Sequence, residues 1–282
     1  LLANQSMAQR ERELLLTGYL NQAARAIQVV STRRRELELA GRMQASLLPS
    51  SPPEVPGWQL EATLRPARET SGDFYDFIPL PGERLGIVIA DVADKGMSAA
   101  LYMALSRTLI RTYAAGYPDR PDLALQAANA RILADTRADL FVTVFYGILD
   151  PAFGTLAYCN AGHHPPYWLA PQSSQVARSR EPIQSLAGRG IALGVVQDPG
   201  WGYSTIELDP GETLLLYTDG VIDAHDPDLA PFGSEGILEA ARSNLDQPAN
   251  HLLEDLLSRL QQFTGDQPQF DDITLLALRR EG

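Results

Sequence analysis

Five aspartates stand where an apolar run meets a turn. Asp73 lies in SGDFYD at the start of one strand-like run, and Asp91 closes IVIAD just before VADKG. Asp219 closes LLLYTD ahead of a glycine, and Asp271 and Asp272 open DDITLLALRR. Taken singly, an aspartate in such a place caps or forms a turn. As a set the five mean more, because antiparallel strands can bring distant strand ends to one edge. Carboxylates gathered there repel one another unless a cation sits among them. Carboxylate, carbonyl and water oxygens suit Mg²⁺ or Mn²⁺. Zinc fits poorly, since the chain has one cysteine and four histidines without ligand spacing.

Strand signals surround these residues. WQLEATLRP (58–66), FYDFIPL (74–80) and RLGIVIAD (84–91) read as short strands, with PGE at 81–83 as a hairpin turn. Helical stretches are expected over about Ser98–Ala115 and Pro121–Ala138. LFVTVFYGILD (140–150) and GTLAYCNAG (154–162) flank the turn PAF and read as paired strands. GYSTIELD (202–209) and ETLLLYTD (212–219) are expected to be joined by Pro210-Gly211. SEGILEAARSNL and NHLLEDLLSRLQQF are amphipathic helices, and DDITLLALRR closes the chain as a strand. Strands cluster in hairpins with helices between them, which predicts an α+β fold: antiparallel sheet covered by helices.

Residues 1–48 contain no proline, and Leu16, Leu20, Ala23, Ile27 and Val30 follow the alternating spacing of a coiled-coil seam. Two readings stand: a helix lying on its own domain, or a parallel dimer seam, which is preferred. The helix must stop at 49-PSSPPEVPG-57, where prolines remove donors and fix φ. The expected organisation is therefore a helical linker over 1–48 and one globular domain over 49–282. The 282 residues carry a net charge of −12, which disfavours a nucleic-acid partner. No apolar run approaches the ~20 residues needed to span a bilayer, and no signal peptide is evident. A single cysteine, Cys159, points to a reducing cytoplasm. The chain does not begin with methionine, so a fragment or a processed product of something longer is expected, with room upstream for a membrane anchor or a sensor; the opening LLANQ resembles the closing helix of a GAF-type domain.

The motifs taken in order resemble the bacterial metal-dependent protein serine/threonine phosphatases of the PPM (type 2C-like) family, in the branch of SpoIIE and RsbU. The segments that carry the resemblance are 44-QASLLP-49, 66-PARETSGDFYD-76, 91-DVADKGMSAAL-101, 160-NAGHHPP-166, 192-ALGV-195, 217-YTDGV-221 and 271-DDIT-274. Any one of them is weak, because Gly-Asp and Asp-Gly pairs are common in turns. Their order spans residues 44 to 274.

The resemblance implies a β-sandwich flanked by helices, with a two-metal centre at one edge holding Mn²⁺ or Mg²⁺. It assigns Asp91 between the two ions with the Val92 carbonyl beside it, Asp73 to one ion, and Asp219 with Asp271 to the other. Asp271 is preferred to Asp272 as the first residue of the last motif. Asp76 either holds water near the ions or simply pairs near its strand. The implied reaction is attack of an activated water on phosphorus in line, with no covalent phosphoenzyme. Cys159 then reads as an inert core thiol. Arg68 is either a bidentate phosphate clamp or a surface charge. His163 and His164 read as turn architecture rather than as acid or base.

The sequence departs from the family pattern in two places. Ser71 replaces the first glycine of Gly-Gly-Asp, which is tolerable if that position is not left-handed. Asp94 replaces a glycine in Asp-Val-Ser-Gly-Lys-Gly, at some conformational cost. Ala93 stands where eukaryotic members carry a histidine, so that residue is absent as a general acid. The implied substrate is a phosphorylated anti-sigma-factor antagonist or a similar signalling protein. The competing reading is a PPM-fold regulatory or scaffolding module with weak or no chemistry; a nucleotide phosphatase lacks support, since no P-loop is present.

Overall fold

The structure, a computed structural model, describes residues 2–136, 139–171, 181–186, 188 and 190–282. One long helix, α1 (Leu2–Ala45), precedes a sandwich of two five-stranded sheets. The strands are β1 (Trp58–Arg65), β2 (Phe74–Leu80), β3 (Arg84–Val92), β4 (Val142–Asp150), β5 (Thr155–Ala161), β6 (Tyr167–Leu169), β7 (Ile183–Ser185), β8 (Ser204–Glu207), β9 (Thr213–Tyr217) and β10 (Ile273–Arg280). One sheet runs β1-β10-β9-β6-β7 and the other β2-β3-β4-β5-β8, antiparallel throughout. Helices α2 (Met97–Ala114) and α3 (Pro121–Asp135) cover the second sheet. Helices α5 (Gly233–Ser243) and α6 (Ala249–Thr264) cover the first, and a single turn, α4 (Asp219–Ile222), follows β9.

The α+β expectation holds, and its physical basis is the two-residue period of the strands. On β3, Ile87 and Ile89 enter the core between the sheets, while Val88, Ala90 and Val92 face α2 and α3. On β10, Leu276 and Leu278 face the other sheet, while Leu275 and Ala277 meet α5 and α6. Both faces of each sheet are thus apolar, and three core layers separate four layers of structure. The same alternation fixes which face each strand-end polar residue takes. Asp73, Asp91, Thr218 and Thr274 all fall in phase with the inter-sheet residues, at one open end of the sandwich.

Some local readings are corrected. The segments either side of Pro210-Gly211 do not form a hairpin. A turn forms there, with the Glu212 amide donating to the Asp209 carbonyl at 3.0 Å, but it carries the chain from one sheet to the other. β8 is an exposed edge strand beside β5, whereas the fully buried β9 lies between β10 and β6. Burial on both faces makes β9 a central strand, which a turn signal cannot reveal. The sequence reading also missed β6 and β7, which are too short to show a period. The second helix ends at Asp135; Ala138, its expected end, lies outside the described residues.

Helix α1 keeps the predicted single span, ending near the proline cluster. From Gly18 to Glu36 its described side chains are exposed, including Ala23, Ile27 and Val30 of the apolar seam. The Leu16 and Leu20 side chains lie outside the described residues. The C-terminal end of α1 does meet the domain. A Cβ on Gly41 would collide with the Glu69 carbonyl, and the buried Gln44 amide bonds the Ser71 backbone in both directions.

Candidate active site

Register places the carboxylates. Phe74 pairs with Ala90 across β2 and β3, so Asp73 and Asp91 come out side by side where that ladder ends. In the other sheet Leu275 pairs with Tyr217, which sets Thr274 beside Thr218 and brings Asp219 to the same end. The two sheets meet through Asp73, whose Oδ2 accepts from Thr218 Oγ1 at 2.7 Å and Thr274 Oγ1 at 2.6 Å. Thr218 Oγ1 in turn accepts from the Thr274 amide at 2.9 Å. Neither threonine was singled out from the sequence. The signal was there, since both stand inside the quoted motifs, Thr218 next to Asp219 and Thr274 two residues after Asp272.

Asp73, Asp91, Asp219 and Asp271 are charged neighbours. Burial, and then the charge of Asp91, holds the Asp73 carboxyl well above the usual range. Burial, and then Asp219, pushes Asp91 up to about 7. Burial, and then Asp271, raises Asp219. This is what uncompensated carboxylates do in a partly dry site.

Asp271 has a cation on it: Lys95 Nζ stands 2.7 Å from its Oδ2. Among the described residues, no group of three or more carboxylate, imidazole or thiol side chains is already arranged around one point to hold a metal. Lys95 holds one oxygen of Asp271, and the two threonines hold one oxygen of Asp73. The donors still fit a hard divalent ion, being oxygen throughout, and the Lys95 ammonium shows that a cation can be seated against Asp271. Gly72 supports the fit, since its bare Cα lies against the Val92 carbonyl, 3.1 Å from where a Cβ would stand.

Asp272 does a different job. Its Oδ1 accepts from the Ala67 amide at 2.7 Å, and its Oδ2 accepts from Ser71 Oγ and the Gly72 amide, each at 2.8 Å. It fastens the loop over 66–72 and so sets the position of Asp73. Ser71, in place of a glycine, has no positive φ and becomes part of this network, its hydroxyl also accepting from the Asp73 amide at 3.0 Å. Asp94 does take the unusual backbone its position demands, with φ 104°. Gly220 is required next to Asp219, because a Cβ there would run into the Asp272 carbonyl.

The other singled-out residues separate clearly. Asp76 faces α2, where Arg111 Nη1 bridges both its oxygens at 2.8 and 2.9 Å and Arg107 Nη2 lies 3.1 Å away. It is a buried ion-pair anchor for α2, and the water-holding alternative is set aside. Arg68 is exposed on the 66–72 loop and makes no ion pair or side-chain hydrogen bond with the described residues. His163 is buried, and burial followed by the neighbouring His164 lowers it to about 3, so the ring is neutral. Its Nδ1 lies 2.9 Å from Thr143 Oγ1, and its backbone exchanges hydrogen bonds with the Asn160 side chain. That is turn architecture, as the sequence implied. His164 stacks on Tyr217 at 5.8 Å. Cys159 is buried and pushed up to about 12 by burial, an inert thiol.

A family model described as Stage II sporulation protein E (SpoIIE) matches residues 81–281. Protein IcfG of Synechocystis sp. is 33% identical over 274 residues, covering 88% of this chain and 42% of IcfG. The phosphoserine phosphatase RsbU of Bacillus subtilis is 28% identical over 258 residues, covering 88% of this chain and 71% of RsbU. The chain thus spans less than half the length of IcfG. Among solved structures, the SiaA-PP2C domain of Pseudomonas aeruginosa superposes with a TM-score of 0.75 at 23% identity, covering 88% of this chain and 96% of that domain. Others that share the fold at lower identity were solved with magnesium or with two manganese ions.

Proposed function

The chain belongs to the SpoIIE family, within the PPM (type 2C-like) phosphatases, and from that premise we propose that it is a metal-dependent hydrolase of phosphoserine and phosphothreonine in a protein. The observation that carries the proposal is the meeting of Asp73, Asp91, Asp219 and Asp271 at one open end of the sandwich, with three of the four carboxyls raised by burial and mutual repulsion. Two Mn²⁺ or Mg²⁺ ions would be held there, with Asp91 between them and the Val92 carbonyl alongside, Asp73 on one, and Asp219 with Asp271 on the other. When bound, such ions make water more acidic and neutralise charge on the transferring phosphoryl group.

The chain's own residues supply the rest. Asp272 and Ser71 hold the loop that aims Asp73, and Thr218 and Thr274 hold the Asp73 carboxylate. Arg68, exposed and unpaired with the described residues, presents a planar donor fork to the phosphate. A groove of about 530 Å³ beside Gly220 and Phe270, lined also by Arg65, His225, Leu229 and Leu257, leaves room for chain flanking the phosphoresidue. The similarity to RsbU supports a phosphorylated anti-sigma-factor antagonist, or a similar signalling protein, as substrate.

The division into a linker over 1–48 and a catalytic domain over 49–282 is part of the same proposal. The exposed seam of α1 supports a parallel homodimer, through which an upstream sensor would act. Among the described residues no helix is long and apolar enough to cross a membrane, and the buried free cysteine supports a cytoplasmic setting.

The test is hydrolysis of p-nitrophenyl phosphate and of a phosphoserine peptide, with and without Mn²⁺ or Mg²⁺. Metal-dependent turnover is expected, lost in Asp91→Asn; with the peptide, Arg68→Ala raises KM about tenfold while Mn²⁺ binding is unchanged. A wild-type chain that neither turns over nor binds metal would overturn the catalytic reading and leave the scaffold.

A further inference from the structure

Lys95 stands out because nothing in the hydrolytic scheme requires it. Its Nζ lies 2.7 Å from Asp271 Oδ2, donates to the Phe270 carbonyl at 3.0 Å, and sits 4.1 Å from the centre of the Phe270 ring. Ion pair, carbonyl and ring face converge on one ammonium, so it is seated rather than grazing the site. Among the described residues no other lysine or arginine pairs with Asp73, Asp91, Asp219 or Asp271. The tether is short and bent: Asp94 (φ 104°) and Gly96 (φ 85°) flank Lys95 between the end of β3 and the start of α2. That bend carries the ammonium from one sheet's end to the other's. The side chains of Lys95 and Asp271 are 30% and 28% exposed, so water can reach the pair and its exchange is feasible.

We propose that Lys95 is a tethered counter-cation of the carboxylate cluster, occupying in the metal-free protein the place against Asp271 that a divalent ion takes, so that loading must displace it. The inference rests on the two-metal reading. It makes the lysine of Asp-Lys-Gly a competitor that sets the metal concentration at which the site fills, and a brace for the empty site.

The test is Mn²⁺ binding to the full chain, read from the electron paramagnetic resonance signal of free Mn²⁺, which needs no turnover. Lys95→Gln should bind Mn²⁺ about 3- to 10-fold more tightly, about 0.7–1.4 kcal/mol at 1.4 kcal/mol per decade, whereas Lys95→Arg should stay near wild type. Phe270→Leu, at an exposed ring, loosens the ammonium without touching a carboxylate and should tighten binding about twofold. Without metal, Lys95→Gln should melt below wild type, and saturating Mn²⁺ should close that gap. Binding by wild type with unchanged or weaker binding in both Lys95→Gln and Phe270→Leu would overturn the competitor and leave the metal site standing. Binding by Lys95→Gln alone would support it. Absence of binding in every variant would overturn both readings.

Discussion

Asp272 and Asp271 are adjacent carboxylates with opposite expected responses to the same substitution. In Asp272→Asn one acceptor oxygen becomes an amide nitrogen that can only donate. The less costly orientation keeps the carbonyl oxygen toward Ser71 Oγ and the Gly72 amide and turns the NH₂ against the Ala67 amide. One half-buried N–H then loses its partner, which costs about 1–2 kcal/mol, and two charge-assisted bonds become neutral ones, at roughly 0.5–1 kcal/mol each. Relief of repulsion on Asp91, to which Asp272 contributes, returns part of this. The net loss is about 2–3 kcal/mol, a fall in Tm of about 4–12 °C for a domain of this size. The assay is thermal unfolding of the metal-free chain by circular dichroism, with Mn²⁺ titration alongside. Asp272→Asn should melt early and, because its loop aims Asp73, bind Mn²⁺ about tenfold more weakly. Asp271→Asn should keep its melting temperature within about 2 °C, since it loses a half-buried pair and a repulsion together, yet lose Mn²⁺ binding. If Asp272→Asn melted within 1 °C of wild type, the hydrogen bonds assigned to Asp272 would not be holding the loop, and the division of labour would be wrong.

The metal-free protein should also lose stability as pH rises. Asp91 holds its proton up to about 7 when folded against 3.8 for an unperturbed aspartate, so between those values the folded state binds more protons and its stability falls with rising pH. His163 works the other way, staying neutral down to about 3 against 6.5, so its contribution rises with pH across that window. Comparing wild type with Asp91→Asn cancels the histidine: the two should melt together near pH 4 and separate by pH 8, the variant higher by at least about 2 °C. Equal melting at both ends would refute the repulsion. For α1, light scattering should show a dimer in wild type and a monomer in Ile27→Glu with Val30→Glu, because charges at seam positions are costly to bury; a dimer in both would move the interface elsewhere.

Much of this molecule was legible as sequence because its signals are local. The two-residue period of RLGIVIAD and DDITLLALRR, the prolines after residue 48, and glycines beside aspartates each report on their own segment, and together they gave an α+β fold with antiparallel sheet and carboxylates at strand ends, while the sandwich came from the family resemblance. What the sequence left open was every choice that depends on a partner far along the chain. Asp271 and Asp272 are the same residue type in consecutive positions, and only the loop over 66–72, about two hundred residues earlier, takes up one of them. Asp76 looked like a second site carboxylate of the 73–76 run until α2 placed two guanidiniums on it. Pro210-Gly211 announced a turn but not which sheet each flank would join, because pairing is decided by burial on both faces of β9. Lys95 drew no reading from the sequence, and the tertiary structure sets its ammonium against Asp271, since the packing of the two sheets brings the ends of β3 and β10 within reach of one side chain.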